Sequence, residues 1–197
     1  AGSSSIISYA DNNPILTVSG NFCRIEKIRV EGNDVGFAQV GIALSGSIQS
    51  TVTGCWIEDC GAIGIDVRGS LNCIITENIC HSNGWDGIMV FGSNRCIVTE
   101  NISSSNGREG IHITSVSTLV AHNQCYQNTE NGIEISGFGD YNSLTGNYCQ
   151  LNTGWGISIS NVGSAWNIVT SNYFLTNTAG GFNDGGTNTQ VGHNVTQ

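Results

Sequence analysis

Apolar residues along this chain come in short bursts, never in long runs. The tetrad Gly-Ile-x-(Ile/Val/Leu) recurs at Gly41, Gly64, Gly87, Gly110, Gly132 and Gly156, with spacings of 23, 23, 23, 22 and 24 residues, and a degenerate seventh copy begins near Gly180. Inside each tetrad the alternation has period two, the mark of a strand with one covered and one open face. Two further bursts per repeat, such as CIIT at 73–76 and NICH at 78–81, are equally short. They are bounded by Gly, Asn or Ser, residues that tolerate tight or left-handed turns.

Asparagine keeps the same period. One column is Asn78, Asn101, Asn123, Asn147, Asn172 and Asn194, headed by Cys55. Another is Asn83, Asn106, Asn128, Asn152 and Asn177, headed by Cys60. Leucine-rich repeats have a similar length, but their Leu-x-x-Leu-x-Leu frame is absent. Helical repeats are longer and would not use Gly, Asn and β-branched residues. Three short strands per repeat therefore predict an all-β, single-stranded parallel β-helix with three short parallel sheets. It would have about 7–8 rungs of roughly 22–25 residues, stacked about 4.8 Å apart. Residues 1–22, which hold the sole proline (Pro14), are expected to be an N-terminal cap or first rung, and 23–197 the β-helix.

Stacking assigns the faces. Ile65/Val67, Ile88/Val90, Ile111/Ile113, Ile133/Ile135 and Ile157/Ile159 form inward columns. Inward asparagines must satisfy buried amides, and a ladder of side chains bonding to one another and to the turn backbone does so. The eight cysteines fall into the same columns: Cys23, Cys73 and Cys96 with Ser50 and Thr118, and Cys80, Cys125 and Cys149 with Ile57, Ser103 and Phe174. A position that accepts Cys, Ser, Ile and Phe is a core position, so reduced, buried thiols are expected rather than disulfides.

Composition narrows the partners. Lys plus Arg is 6 and Asp plus Glu is 15, giving a net charge of −9, and only 11% of residues are charged. Nucleic acid and anionic membrane surfaces are excluded as partners, because both need clustered cations. No apolar run approaches the roughly 20 residues of a membrane span. With 27 Gly, 23 Asn and one Pro, the polar surface is left to Asn, Ser, Thr and Gln. No metal-ligand spacing is present and no cofactor is expected. Calcium is left open, although no motif marks it.

The scarce charges concentrate on one face. The outward column of the tetrad runs Ala43, Asp66, Met89, His112, Glu134, Ser158, and two residues on it runs Ser45, Arg68, Phe91, Thr114, Ser136, Ser160. The turn before each glycine adds Trp85-Asp86, Arg108-Glu109, Glu130-Asn131 and Trp155. Such side chains suit a glycan groove, since indole rings stack on pyranose faces while carboxylates bind hydroxyls or move protons. Asp66, Asp86, His112 and Arg68 are the candidate catalytic residues. Trp85, Arg108, Glu109, Glu134 and Trp155 are the candidate substrate-binding residues. The plainer alternative stands beside this one: solvated charges on an open strand face, with indoles covering a corner of the core.

The repeated pattern N-x-x-x-x-N-G-x-x-G-I-x-(I/V)-x-(G/S) resembles the right-handed parallel β-helices of the pectate-lyase-like superfamily, over about residues 23 to 195. Within it the chain is most similar to mannuronan C5-epimerase modules. His81-Ser82-Asn83-Gly84-Trp85-Asp86-Gly87-Ile88 matches their H-x-N-G-L-D-G-F. Asp66 and Asp86 stand for the two aspartates of that family, Arg68 falls where it has its catalytic His, and its Tyr has no counterpart. The resemblance implies a secreted, polysaccharide-active protein of lyase, epimerase or hydrolase type. Its alternative is a non-catalytic glycan-binding or structural module of a tailspike or cell-surface protein. Either implies an extracellular or virion-associated setting. An outward stripe of Ile74, Ile97, Leu119 and Ile168 is atypical of a monomer. It predicts a lateral homo-oligomer, such as a trimer, or a place in a longer chain.

Overall fold

In the computed structural model, residues 6–9, 13–32 and 39–197 are described, and every regular element among them is a strand. The strands form one nine-stranded and two eight-stranded sheets. All pairing is parallel and joins a strand to its counterpart one repeat later, as in Ile42↔Ile65↔Ile88↔Ile111↔Ile133↔Ile157. The protein is thus a right-handed parallel β-helix. The expected cap or first rung over 1–22 includes residues 1–5 and 10–12, which lie outside the described residues. Ile6–Tyr9 and Leu16–Val18 are strands that pair with Arg29–Gly32 and Ile42–Ser45.

The core is a set of aliphatic columns. Ile65, Val67, Ile88, Val90, Ile111, Ile113, Ile133, Ile135, Ile157 and Ile159 are fully buried, as the period-two reading requires. All eight cysteines are free; seven are buried, and Cys23 is half-buried. The predicted mixing is in register, because Cys80 stacks between Ile57 and Ser103, and Cys149 between Cys125 and Phe174. The Ile74 stripe faces solvent in one of the eight-stranded sheets, where Thr51, Ile74, Ile97, Leu119, Ser143 and Ile168 stack.

The asparagines do more than turn the chain. Asn78, Asn101, Asn123 and Asn147 each donate Nδ2 to the Oδ1 of the next asparagine in the column at 3.0 Å. Each backbone N–H in that series donates to the same oxygen, at 2.9–3.0 Å. Nδ2 also reaches a main-chain carbonyl, as from Asn123 to Val98 at 2.8 Å. The residue in the left-handed region is the one before each stacked position, not the asparagine itself. In one rung these are Gly69, Asn72, Glu77 and Ser82, with φ of 58°, 54°, 58° and 55°; in the next they are Gly92, Arg95, Glu100 and Ser105. Each of these rungs therefore bends at four left-handed residues, each followed by one inward polar or thiol side chain. Rungs also meet too closely for side chains at some turns. A Cβ on Gly107 would stand 2.1 Å from the Gly84 carbonyl oxygen.

Candidate functional site

The sheet that carries the tetrads presents Ala43, Asp66, Met89, His112, Glu134 and Ser158 in one register line. Asp66 and His112 are thus two rungs apart, about 9.6 Å at the inter-strand spacing, with Met89 between them. Just before the glycines, Asp86 and Glu109 occupy the same place on adjacent rungs. Gly64 N–H donates to the Asp86 carbonyl and Gly87 N–H to the Glu109 carbonyl, both at 3.0 Å. The same place holds Ile63 below them and Asn131 and Trp155 above. The chain thus replaces a buried aliphatic side chain with two carboxyls, and these stay buried, Asp86 at 1% exposure and Glu109 at 2%.

Three candidates converge here. Asp86, Glu109 and His112 each place a donor atom within 4.8 Å of the others. His112 Nδ1 lies 3.5 Å from Asp86 Oδ2, and the His112 side chain is only 12% exposed. The far nitrogen, His112 Nε2, lies 2.8 Å from Ser136 Oγ. Asp86 Oδ1 accepts the Glu109 backbone N–H at 3.3 Å. Asp86 Oδ2, Glu109 Oε2 and His112 Nδ1 are buried and have no hydrogen-bond partner.

Burial sets the electrostatics. It pushes the Glu109 carboxyl up to about 10, helped by the neighbouring Asp86 and Glu130. Burial alone would raise Asp86 too, but the adjacent His112 and Glu109 favour its charged form and hold it below the usual carboxylate range. Two adjoining carboxyls are thus driven apart, one neutral and one charged. Arg108 Nε stands 3.6 Å from Glu109 Oε2 and 3.7 Å from Glu130 Oε1. Burial works against that cation, while Glu109, Asp86, Glu130 and Glu134 keep it above its ordinary value.

The remaining candidates flank this cluster. On the rung below, Arg68 Nε donates to Asp66 Oδ2 at 2.6 Å and Arg68 Nη2 lies 3.6 Å from Met89 Sδ. Burial raises the Asp66 carboxyl, against the pull of Arg68. On the rung above, Glu134 accepts from Asn131 Nδ2 at 2.5 Å and from Ser160 Oγ at 2.7 Å. Trp85 is 45% exposed at the turn beside Arg108, whose N–H donates to the Trp85 carbonyl at 3.1 Å. Trp155 is half-buried, its ring lying against Gly180 of the next rung, so its indole covers backbone. The sequence reading did not single out Ser136, Asn131 or Ser160 as site residues. They lie in or beside the same outward columns, and that position was the available signal.

Fold and site together define a right-handed parallel β-helix with a carboxyl–imidazole cluster on one sheet. Residues 2–197 match the family described as "Periplasmic copper-binding protein (NosD)", and the chain belongs to that family. No curated protein matches the chain. Among solved structures it is similar to the periplasmic alginate epimerase AlgG (TM-score 0.65, 21% identity, 86% of this chain and 51% of that one). It is also similar to the A-module of the Azotobacter vinelandii mannuronan C-5 epimerase AlgE4 (TM-score 0.60, 9% identity, 98% and 78%). A third is the Dettilon tailspike protein (TM-score 0.68, 16% identity, 91% and 46%). The chain spans about half the length of AlgG.

Proposed function

We propose that this protein binds a polysaccharide across the outer face of the tetrad sheet and acts on it there. The observation that carries this reading is the continuous charged line over successive rungs: Asp66–Arg68, then Asp86, then Arg108–Glu109–His112, then Glu134. Rungs about 4.8 Å apart match a sugar chain, whose residues repeat at a similar distance, with a regular series of polar contacts. Arg68 and Arg108 are two of only six cations in the chain, and both flank the cluster. They suit a negatively charged or hydroxyl-rich group of the glycan, held against carboxyls that engage its hydroxyls. Trp85 supplies an apolar platform at the edge. The epimerase and tailspike neighbours support a glycan as ligand. The periplasmic names of the family and of AlgG, with the tailspike, support a setting outside the cytoplasm.

The family's name also carries copper. Seven of the eight thiols lie in the core, the half-buried Cys23 sits before a strand of another sheet, and Met89 Sδ is engaged by Arg68, so the face offers copper(I) no free sulfur. What the face offers a metal is nitrogen and oxygen.

A panel of polyuronates and neutral glycans, followed by reducing-end release, unsaturated-uronate absorbance and NMR of C5 configuration, tests the reading. Turnover or saturable binding that is lost in an Arg68→Ala/Arg108→Ala double variant supports it. Binding without turnover selects a glycan-binding module over an enzyme. Neither binding nor turnover on any glycan overturns it.

A further inference from the structure

We infer that Asp86, Glu109 and His112 form a three-ligand site for a divalent first-row metal ion, for which nothing local in the sequence provides a motif. The donors come from two rungs: Asp86 from one, Glu109 and His112 from the next, so their 23-residue separation hides them from any short pattern. Three buried polar atoms, Asp86 Oδ2, Glu109 Oε2 and His112 Nδ1, are left without hydrogen-bond partners around one point. Buried polar atoms normally find one, and three orphans facing each other is the arrangement a cation resolves.

One distance fits an ion closely. The 3.5 Å between His112 Nδ1 and Asp86 Oδ2 is long for a hydrogen bond. It is close to the roughly 3.4 Å between two donors each about 2.1 Å from a tetrahedral ion. The surroundings hold the ligands in place. With its proton on Nε2, His112 donates to Ser136 Oγ and leaves the Nδ1 lone pair aimed at the cluster. Asp86 is fixed through Oδ1 by the Glu109 N–H. Such outer contacts are what orients metal-ligating imidazoles and carboxylates.

One imidazole and two carboxylates suit zinc(II), manganese(II) or copper(II), and leave a fourth position for water or a ligand. A cation there would also offset the repulsion between the two adjacent carboxyls. Arg108, 3.6 Å from Glu109 Oε2, already has Glu130 Oε1 at 3.7 Å as an alternative partner. The inference needs no sugar and stands apart from the glycan reading.

Chelator-stripped protein is titrated with zinc sulfate and with copper(II) sulfate by calorimetry, with melting curves and copper EPR alongside. One ion per chain, a raised melting temperature and an EPR signal split by a single nitrogen are expected. Asp86→Asn and His112→Gln should each weaken binding at least about tenfold, while Glu134→Gln leaves it unchanged. Should the ligand variants misfold, the ring-nitrogen NMR shifts of the four wild-type histidines decide the matter, since only that of His112 should move on adding zinc. Absence of binding overturns the proposal, as does binding of calcium alone or binding that survives both ligand substitutions in folded protein.

Discussion

Arg68 Nε lies 2.6 Å from Asp66 Oδ2, and the same guanidinium stands 5.2 Å from the centroid of the Phe91 ring on the next rung. The pair is lopsided: Asp66 is buried, at 6% exposure, whereas Arg68 is open to water. Burial raises the Asp66 carboxyl and Arg68 draws it back. Replacing Arg68 with Met removes that opposition, so folding then favours the protonated acid more strongly. A folded-state value raised above the unfolded one means stability is lost as pH climbs through the range above about 4. Arg68→Met should cost about 1–3 kcal/mol at pH 7 and much less at pH 4. Urea unfolding at the two pH values reads the difference, and equal losses would refute it.

Asn123 sits in the middle of its column. Its Oδ1 accepts from both Asn101 N and Asn101 Nδ2 at 3.0 Å, and its Nδ2 donates to Val98 O and Asn147 Oδ1. Asn123→Ala strands buried donors and acceptors, each costing about 1–3 kcal/mol. A total loss of about 3 kcal/mol is expected. Asn194→Ala, where the column reaches a half-buried position, should lose about 1 kcal/mol. Denaturation midpoints of the two variants against wild type check the order.

Gly69 and Gly107 separate two reasons for glycine. Gly69 is left-handed, with φ of 58°, and has nothing within 4 Å of an added Cβ, so Gly69→Ala should cost only about 1–2 kcal/mol. Gly107→Ala drives a methyl into the Gly84 carbonyl 2.1 Å away, which only a backbone shift relieves. More than about 3 kcal/mol, or failure to fold, is expected. Thermal melts of the two alanine variants give the comparison.

Thiol reactivity should follow burial. Cys23 is half-buried, and the other seven cysteines are buried. Burial pushes Cys60 up to about 12, so it is a neutral thiol at pH 8. Native protein treated with a disulfide reagent at pH 8 should label at Cys23 alone, and all eight should react in denaturant. Mass spectrometry counts the labels. Rapid native labelling at Cys60 or Cys125 would contradict the packing.

Much of this architecture could be read in the chain because a β-helix turns sequence period into spatial adjacency. The columns Ile65, Ile88, Ile111 and Cys80, Cys125, Cys149 needed only the correct period to be placed. The corners were less legible. Gly69, Gly92 and Asn72 take left-handed turns as expected, yet Glu77, Glu100 and Gln127 take them too, residues with no such preference. The neighbouring asparagine stack enforces the backbone there, and local propensity does not. The site was legible as a face but not as a cluster. Asp66 and His112 share an outward column and Asp86 lies in the turn before it, and only coordinates show that Asp86 and Glu109 are sunk beside His112 while Asp66 belongs to Arg68. The role of Ser136 depends on the direction of an imidazole ring, which no periodicity encodes.

The left-handed corners have a mechanical corollary. One coil taken alone would hold several left-handed bends with nothing to keep them in place. Each coil is secured only by the coils above and below, so the cost of starting the stack is high and the cost of extending it is low. Order should therefore spread like a zip fastener from a nucleus near the centre. When the rod is pulled along its axis, the outermost coils should let go first, in discrete steps of about 23 residues.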